Sequence, residues 1–350
     1  MAVNLSKLIS KRRLLFDELT GKAIAIDAYN VLYQFLSIIR QPDGTPLMDA
    51  QGNVTSHLSG IFYRTIELLE YGIKPIYVFD GLPSVLKQKT IAARMKRKEE
   101  AREAFEKAKE SGNIEAMRSH AMATTRVDKK IVESSKKLLD AMGIGYMTAP
   151  SEGEAQASRM SKNGLVYAAA SQDYDTLLFG SKYVARNLTF SGRRKLPRKN
   201  IYINVEPELV SLHDTLSALG ISQKQLIWIG ILLGTDFNNG IKGIGPKTAL
   251  KIAKGSKRIE DIKDYVSKNC KEDFELDIKE IEDLFTNPEV KEMDTNDVER
   301  LLGKSYDRAA IIDLMCRTHG FSEERISKFI DKLEKRKPDS KQKGIEGWFK

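Results

Sequence analysis

Short apolar runs in this sequence end in acidic residues or lead straight into them. Three such runs are Ala23–Asp27, Pro75–Asp80 and Leu165–Ser171, and the last is followed by Asp173 and Asp175. Short, nearly uniform apolar runs are typical of strands that are buried on both faces of a sheet. Helical patterns lie between them, so the sequence predicts an α/β fold with a mostly parallel central sheet flanked by helices. Because ligands bind beyond the carboxyl ends of such strands, the acids are expected to share one functional edge.

Seven carboxylates are candidates for a single site. Glu152 and Glu154 fall where Pro150 and Ser151 predict the start of a helix, and either acid alone would be explained by the helix dipole. Seven acids at one edge, however, would repel one another too strongly to stay ionised without cations. Oxygen ligands without His or Cys are the donors that suit Mg²⁺ and Mn²⁺. The predicted metal ligands are Asp27, Asp80, Glu152, Glu154, Asp173, Asp175 and Asp236.

An all-carboxylate cluster of this kind predicts hydrolysis of phosphodiesters. Two Mg²⁺ ions about 4 Å apart stabilise the attacking hydroxide and the leaving oxygen of an in-line displacement at phosphorus. Metal-bound water then supplies the nucleophile at neutral pH, so no histidine base is required. None of the four histidines has a metal-ligand spacing, and we assign them no chemistry.

A basic segment, Leu86–Glu110, follows Asp80 and is helical in propensity. Its charges would suit a solvated surface helix, but its basic residues crowd the first half, where they could follow phosphates. Lys87 and Arg94 are seven residues apart and share one face if the segment is helical. We predict that both are catalytic cations that clamp the reacting phosphate and offset charge in the transition state. Tyr33 is predicted either to stack on a DNA base or to belong to the core.

Residues Gly240–Ala249 (GIKGIGPKTA) predict a helix-hairpin-helix, in which a Gly-Ile-Gly turn joins two helices. Gly243 and Gly245 are expected to permit positive φ and to let a DNA backbone approach closely. Lys247 and Lys251 add positive charge for phosphates without reading bases. This region is therefore predicted to bind duplex DNA.

The last residues, QKGIEGWF (342–349), follow the pattern Q-x-x-aliphatic-x-x-aromatic-aromatic after a polar, basic linker. An exposed Trp-Phe pair invites aggregation, so a groove on a partner protein is the economical explanation. The alternative is a tail that docks back on its own domain. The residues predicted to bind the partner are Gln342, Ile345, Trp348 and Phe349.

Composition is that of an ordinary soluble globular protein, with 41% apolar and 30% charged residues in a chain of 350. A net charge of +9 and a pI near 9.2 point to a polyanionic partner. The sequence predicts no membrane association, because it has no stretch of 18 uncharged apolar residues and no apolar secretion signal at its start. Two cysteines are too few for a disulfide framework, which favours a reducing, intracellular compartment.

With these residues assembled, the chain resembles flap endonucleases of the xeroderma-pigmentosum-G nuclease superfamily over essentially its whole length. The resemblance implies a PIN-like 5′ nuclease fold with a helical arch at about 84–130 and a helix-hairpin-helix at about 238–255. It assigns the seven acids to two Mg²⁺ ions, for which Mn²⁺ can substitute, and K⁺ to the helix-hairpin-helix. The blocks that carry it are AIDAYN (25–30), YVFDG (77–81), APSEGEAQA (149–157), SQDYDTLLFG (171–180), GTDF (234–237) and GIGPKTA (243–249).

The same resemblance implies removal of 5′ flaps at branched duplexes in Okazaki-fragment maturation and base-excision repair, together with 5′–3′ exonuclease activity. It implies a nuclease core over about 1–332, with an N-terminal region at about 1–105, an internal region at about 120–260 and a tail that binds a sliding clamp of the proliferating cell nuclear antigen family. Tyr33 would face the unpaired nucleotide, and Asp43–Thr55 would lie near the 3′ flap. The protein would be a cytoplasmic archaeal monomer, or nuclear if eukaryotic.

Two other readings are compatible with these motifs. One is a sister 5′–3′ exonuclease or bubble-cutting nuclease of the same superfamily, against which the compact size and the terminal clamp box argue. The other is a non-catalytic protein that only binds branched DNA, against which the presence of all seven acids argues.

Overall fold

The computed structural model describes residues 3–83, 87, 126–189, 192–195, 202–270, 274 and 277–334. Arg94, nearly all of the predicted arch and the predicted clamp-binding tail lie outside these residues. Within them the predicted α/β architecture is confirmed, because one mostly parallel sheet is packed between helices.

Seven of the described strands form the central sheet and two form a separate hairpin. The sheet strands are β1 Arg12–Arg13, β2 Ala23–Asp27, β3 Lys74–Phe79, β4 Tyr146–Thr148, β5 Ala168–Ala170, β6 Tyr183–Arg186 and β9 Glu208–Ser211, and the hairpin strands are β7 Gly192–Lys195 and β8 Tyr202–Val205. The order across the sheet is β1-β9-β6-β5-β2-β3-β4. The strands from β6 to β4 in this order run parallel to one another, whereas β9 pairs antiparallel with both β6 and β1.

Helices fill most of the remaining described chain. They are α1 Ala28–Ile38, α2 Ser56–Glu70, α3 Lys129–Ala141, α4 Gly153–Lys162, α5 Asp175–Leu178, α6 Leu212–Leu219, α7 Gln223–Leu233, α8 Pro246–Gly255, α9 Ile259–Asn269, α10 Ile278–Thr286, α11 Thr295–Leu302, α12 Arg308–Ile312 and α13 Glu323–Glu334. A 3-10 helix covers Phe16–Leu19, and a π-helix covers Asp313–Thr318.

Both faces of the sheet are covered by apolar side chains. Along β2, Ile24 and Ile26 belong to one hydrophobic cluster, whereas Ala25 between them belongs to another. Successive residues of a strand point to opposite faces, so the uniformly apolar run reflects burial on both sides. This is the arrangement that the sequence predicted for Ala23–Asp27.

One predicted strand is shorter than expected. The run Leu165–Ser171 contributes only Ala168–Ala170 to the sheet. Its first residue is still part of the turn that ends α4, since the Leu165 backbone amide donates to the Met160 carbonyl at 3.0 Å and Gly164 has φ of 77°. The end of the preceding helix therefore uses residues whose apolar character suggested a strand.

Two helices, α7 and α8, flank the region predicted to form a helix-hairpin-helix, but the connection between them is longer than the predicted Gly-Ile-Gly turn. Residues 234–245 separate the two helices, so Gly243 and Gly245 occupy only the end of the connection.

Among the described residues, no single helix has the length and apolarity to cross a membrane. Helices α6 and α7 satisfy that test only when taken together, and they bend by 83°.

Candidate active site

The carboxyl ends of three adjacent strands bring the predicted acids to one edge of the sheet. Strands β5, β2 and β3 are neighbours and run parallel. Asp27 is the last residue of β2, Asp80 follows β3 directly, and Asp173 lies shortly beyond β5. The parallel sheet thus places at one edge side chains that are far apart in sequence.

Asn30 holds two of these acids in place. The Asp27 side chain caps α1 by accepting a hydrogen bond from the Asn30 backbone amide at 3.0 Å. The side-chain amide of the same asparagine donates to Asp173 Oδ2 at 3.1 Å. Sequence analysis did not single out Asn30, although its position three residues after an acid that caps a helix is a recognisable signal.

The start of α4 faces Asp80. The backbone amide of Gly153, the first residue of the helix, donates to Asp80 Oδ1 at 2.7 Å. A Cβ atom on Gly153 would lie 2.9 Å from the same oxygen, so a side chain there would push the carboxylate away. Glycine is needed at this position because of close approach and not because of its backbone angle.

Glu154 and Asp175 are fixed by donors from other parts of the chain. The Thr176 hydroxyl donates to Glu154, and the Val3 backbone amide donates to Asp175 Oδ1 at 3.0 Å. Val3 and Asp175 are 172 positions apart. No sequence signal identifies the Val3 contact, because a backbone amide is the same in every residue type except proline.

Three of the acids, Asp27, Glu152 and Asp175, are buried, the other four are half-buried, and the acids interact through their charges. Burial and the charge of Asp80 raise the pKa of Asp27 to about 8, and Asp27 is only 7% exposed. Burial and Asp236 raise the pKa of Asp175 to about 7, although the Val3 amide opposes this, while burial and Glu152 raise that of Asp80 to about 6. Burial, Asp175, Asp173 and Asp27 raise the pKa of Glu154 well above its ordinary value. These mutual effects link all seven acids into one cluster.

Lys87 places a positive charge within this cluster. Its ammonium donates a hydrogen bond to Glu152 Oε2 and lies 3.7 Å from Asp236 Oδ2. Burial would lower the pKa of Lys87, but Glu152 and Asp236 raise it above its ordinary value. The other oxygen of Glu152, Oε1, is buried and has no hydrogen-bond partner. Lys87 thus balances part of the negative charge and leaves one buried acceptor unused.

The acid cluster suits a hard divalent cation in its chemistry. Across the residues that the structure describes, no group of three or more Asp, Glu, His or Cys side chains is arranged so that it could hold a metal ion. The donor set nevertheless consists of carboxylate oxygens alone, which is what Mg²⁺ prefers. The buried, unpaired Glu152 Oε1 and the raised acid pKa values both indicate a need for further positive charge.

Tyr33 is not a core residue. It lies on α1, four residues after Tyr29, and is 37% exposed. Burial, the charge of Asp80 and the neighbouring Tyr33 all raise the pKa of Tyr29. This part of α1 therefore borders the acid cluster. The exposure removes the core alternative.

The turn before α8 differs in detail from its prediction. Gly243 has φ of 87°, as expected, but Gly245 has φ of −97°, so its backbone does not require glycine. Gly245 is instead the N-cap of α8, and a Cβ at either glycine would meet no atom within 4 Å. Lys247 and Lys251 are both exposed, one turn apart on α8. The surface here is open to a large ligand.

Comparisons with known proteins agree with this arrangement. The family model of the XPG N-terminal domain matches residues 1–101, and that of the XPG I-region matches residues 143–236. The chain is 51% identical to Flap endonuclease 1 of Saccharolobus solfataricus, with 97% of each chain covered, and 47% identical to Flap endonuclease 1 of Pyrococcus furiosus, with 100% of each covered. Its fold matches the structure of flap endonuclease-1 from Methanococcus jannaschii with a TM-score of 0.69 and 38% identity, over 95% of this chain and 97% of that one.

XPG-type nucleases generally depend on divalent metals, which agrees with a donor set of carboxylates alone. The similarity to these two relatives covers 97% and 100% of their respective lengths. The chain belongs to the flap endonuclease family of XPG-type nucleases.

Proposed function

We propose that this protein is a DNA hydrolase that removes 5′ flaps from branched duplexes, with 5′–3′ exonuclease activity, in Okazaki-fragment maturation and base-excision repair. The observation that carries the proposal is the cluster of buried and half-buried carboxylates, in which Asp27 and Asp175 have raised pKa values and Lys87 lies among the acids. Membership of the flap endonuclease family supports the choice of substrate.

The seven acids would hold two Mg²⁺ ions, for which Mn²⁺ can substitute. When bound, the ions supply an activated water and neutralise charge on the scissile phosphate. Asn30 and the Gly153 amide keep the carboxylates aimed into the site. Lys87, which neutralises Glu152 in this structure, would move to the phosphate and offset charge in the transition state. Arg94 would serve the same purpose from the arch.

The region around α8 would hold the duplex. Exposed Lys247 and Lys251 can neutralise phosphates, and the open surface at Gly243 admits a DNA backbone. The amides at the start of α8 offer donors to a phosphate, and K⁺ bound at this turn would add positive charge. Tyr33, exposed beside the acids, would stack on the unpaired nucleotide at the branch.

The proposed layout has an N-terminal nuclease region at about 1–105, an internal region at about 120–260 and a tail that binds a sliding clamp through Gln342, Ile345, Trp348 and Phe349. Changing Trp348 and Phe349 to Ala should abolish stimulation by the clamp and leave basal cleavage unchanged. Equal stimulation of the variant and the wild type would exclude the tail as the clamp tether. The protein would act as a monomer in an archaeal cytoplasm.

The central test is a cleavage assay on labelled double-flap, nick, gap and bubble substrates, with Mg²⁺ and then with EDTA. We expect a product that depends on the metal and forms fastest on the double flap. Equal cutting of the bubble would favour the sister nuclease, and cutting only from a nicked or recessed end would favour the exonuclease. Tight binding without any metal-dependent product would leave a protein that only binds branched DNA.

A further inference from the structure

An exposed aromatic patch lies where the described chain ends. The patch consists of Leu15, Phe16 and Tyr71, which we call the Leu15 patch. Leu15 is 51% exposed and Tyr71 is 40% exposed. Phe16 stacks on Tyr71 with ring centroids 4.6 Å apart and planes inclined by 15°. Phe16 itself is half-buried against the core, so the exposed apolar surface of the patch is that of Leu15 and Tyr71, and exposed apolar side chains that lie together indicate a contact surface.

The patch is preformed. The Leu15 backbone amide donates to Glu18 Oε1 at 2.9 Å, which fixes the start of the 3-10 helix. The Thr20 hydroxyl donates to the Tyr71 carbonyl at 3.0 Å, and the amide of the next glycine, Gly21, donates to Gly72 at 2.9 Å. These bonds hold together two segments that are distant in sequence. The patch itself therefore loses little conformational entropy when a ligand binds to it.

The last described helix leads the tail toward this patch. Helix α13 packs on α2, where Phe329 contacts Tyr63 edge to face at 4.8 Å. Near its end, Lys332 Nζ lies 3.3 Å from Glu70 Oε1. Glu70 is the last residue of α2, and Tyr71 follows it as the helix C-cap. The chain therefore leaves α13 beside one end of the Leu15 patch.

The segment that follows has the reach and the composition to cover the patch. Trp348 lies 16 positions after Lys332, and an extended chain of that length spans at most about 55 Å. Ile345, Trp348 and Phe349 supply apolar side chains, and the linker before them is basic, with Lys335, Arg336, Lys337, Lys341 and Lys343 against one acid, Asp339. At the patch, Asp17 is exposed and Glu70 already accepts a cation.

We propose that, without a clamp, the tail folds back and lays Trp348 and Phe349 on the Leu15 patch. A short tether gives the tail an effective concentration in the millimolar range, so even weak apolar contacts keep it docked. The docked tail hides its aromatic pair from water and from other proteins. The inference rests on the proposed clamp contact, because Trp348 and Phe349 cannot bind the clamp and the Leu15 patch at the same time. Docking on the patch is nevertheless measured with no clamp and no DNA present.

The fluorescence of Trp348 tests this proposal. The chain has two tryptophans, and the other, Trp228, is buried and donates to Glu282. Subtracting the signal of full-length Trp348→Phe from that of the wild type isolates Trp348. We expect its emission to be blue-shifted and protected from acrylamide, at every protein concentration. Both effects should be lost in Tyr71→Ser and in Leu15→Ser.

Tyr265→Ser is the matched control, because Tyr265 is 39% exposed and lies on α9. It should leave the protection of Trp348 unchanged. A wild-type Trp348 that is quenched as fully as the free peptide 335–350 would overturn the proposal. Protection that survives both patch variants, or that grows with protein concentration, would also overturn it, by indicating another surface or a second copy.

A clamp titration separates this proposal from the proposed function. If the tail is docked, Tyr71→Ser should bind the clamp more tightly than the wild type. The wild-type Kd should exceed that of the variant by the reciprocal of the fraction of molecules whose tail is undocked. If the tail binds no clamp at all, the clamp assignment fails while the fluorescence result stands. If clamp affinity is the same in both proteins, the docked state is not populated and this inference fails alone.

Discussion

The acid cluster and the turn before α8 are two charged regions built in opposite ways. At the cluster, like charges are buried or half-buried and are held by specific donors such as Asn30 and the Gly153 amide. At the turn, Lys247 and Lys251 are exposed and nothing crowds Gly243. Forcing like charges together makes a region that binds cations and does chemistry, whereas spreading them in solvent makes one that attracts a polyanion with little strain.

This difference separates the two steps of the proposed reaction. Changes in the cluster should alter the rate of the chemical step, and changes at the turn should alter affinity and its dependence on salt. The comparison fails if either region affects both quantities equally.

The largest effect is expected from removing one acid of the cluster. Asp80→Asn or Asp173→Asn should slow single-turnover cleavage by about 10³-fold or more, which corresponds to about 4 kcal/mol of barrier. Duplex affinity should change little, because the turn is untouched. Asp264→Asn, which removes an exposed acid on α9, is the control and should keep the wild-type rate. A wild-type rate in either cluster variant would exclude that acid from the site.

The next effect concerns the cation within the cluster. Lys87→Ala should slow single-turnover cleavage by about 10²-fold, because its charge is available to the transition state, and Arg94→Ala should do the same. Lys328→Ala removes an exposed lysine on α13 and should have no effect on the rate. Loss of affinity with an unchanged single-turnover rate would make Lys87 a binding residue only.

Changes at the turn should give the opposite pattern. Lys247→Ala with Lys251→Ala should weaken duplex binding about tenfold and reduce the slope of log K against log salt by about 2. The single-turnover rate at saturating enzyme should stay the same. The double variant Arg325→Ala with Lys328→Ala removes equal charge from α13 and should leave both quantities unchanged. A slower chemical step in the turn variant would contradict the division of labour.

The smallest effect is a dependence of stability on pH without metal. The pKa values of Asp27 and Asp175 are about 8 and about 7 in the folded state, above the ordinary 3.8, so the folded protein holds protons that the unfolded chain has released. The fold therefore loses stability as the pH rises, until the pH passes about 8. Burial lowers the pKa of His57 to about 4, so protonation of His57 reduces stability only below its ordinary pKa of 6.5.

Between pH 6.5 and 8 in EDTA, we expect the free energy of unfolding to fall on the order of 1 kcal/mol. Denaturant unfolding measures it. Mg²⁺ should stabilise the protein more at pH 8 than at pH 6.5, because bound carboxylates must be ionised. Asp27→Asn should flatten the pH dependence in EDTA. A flat wild-type profile would show that the acids are not held close together in the absence of metal.

Several features of the site were predictable from local sequence. Asp27 and Asp80 are recognisable because each ends an apolar run that is buried on both faces, and the carboxyl edge of a parallel sheet is a known place for ligands. Gly243 is recognisable because a glycine beside an apolar residue before a helix marks a turn. The predicted positive φ of Gly245 was wrong. Gly245 is an N-cap with extended backbone geometry, and in sequence such a glycine cannot be distinguished from one that has positive φ.

The sequence by itself determined the strand-helix alternation, the acids at strand ends and the basic, aromatic-tipped tail, because these depend on the type and spacing of nearby residues. Only the tertiary structure decided that the Val3 amide meets Asp175, that Lys87 lies between Glu152 and Asp236, and that the end of α13 lies beside Tyr71. Such contacts join residues that are distant in the chain, and they depend on how helices pack on the sheet, which no local pattern encodes.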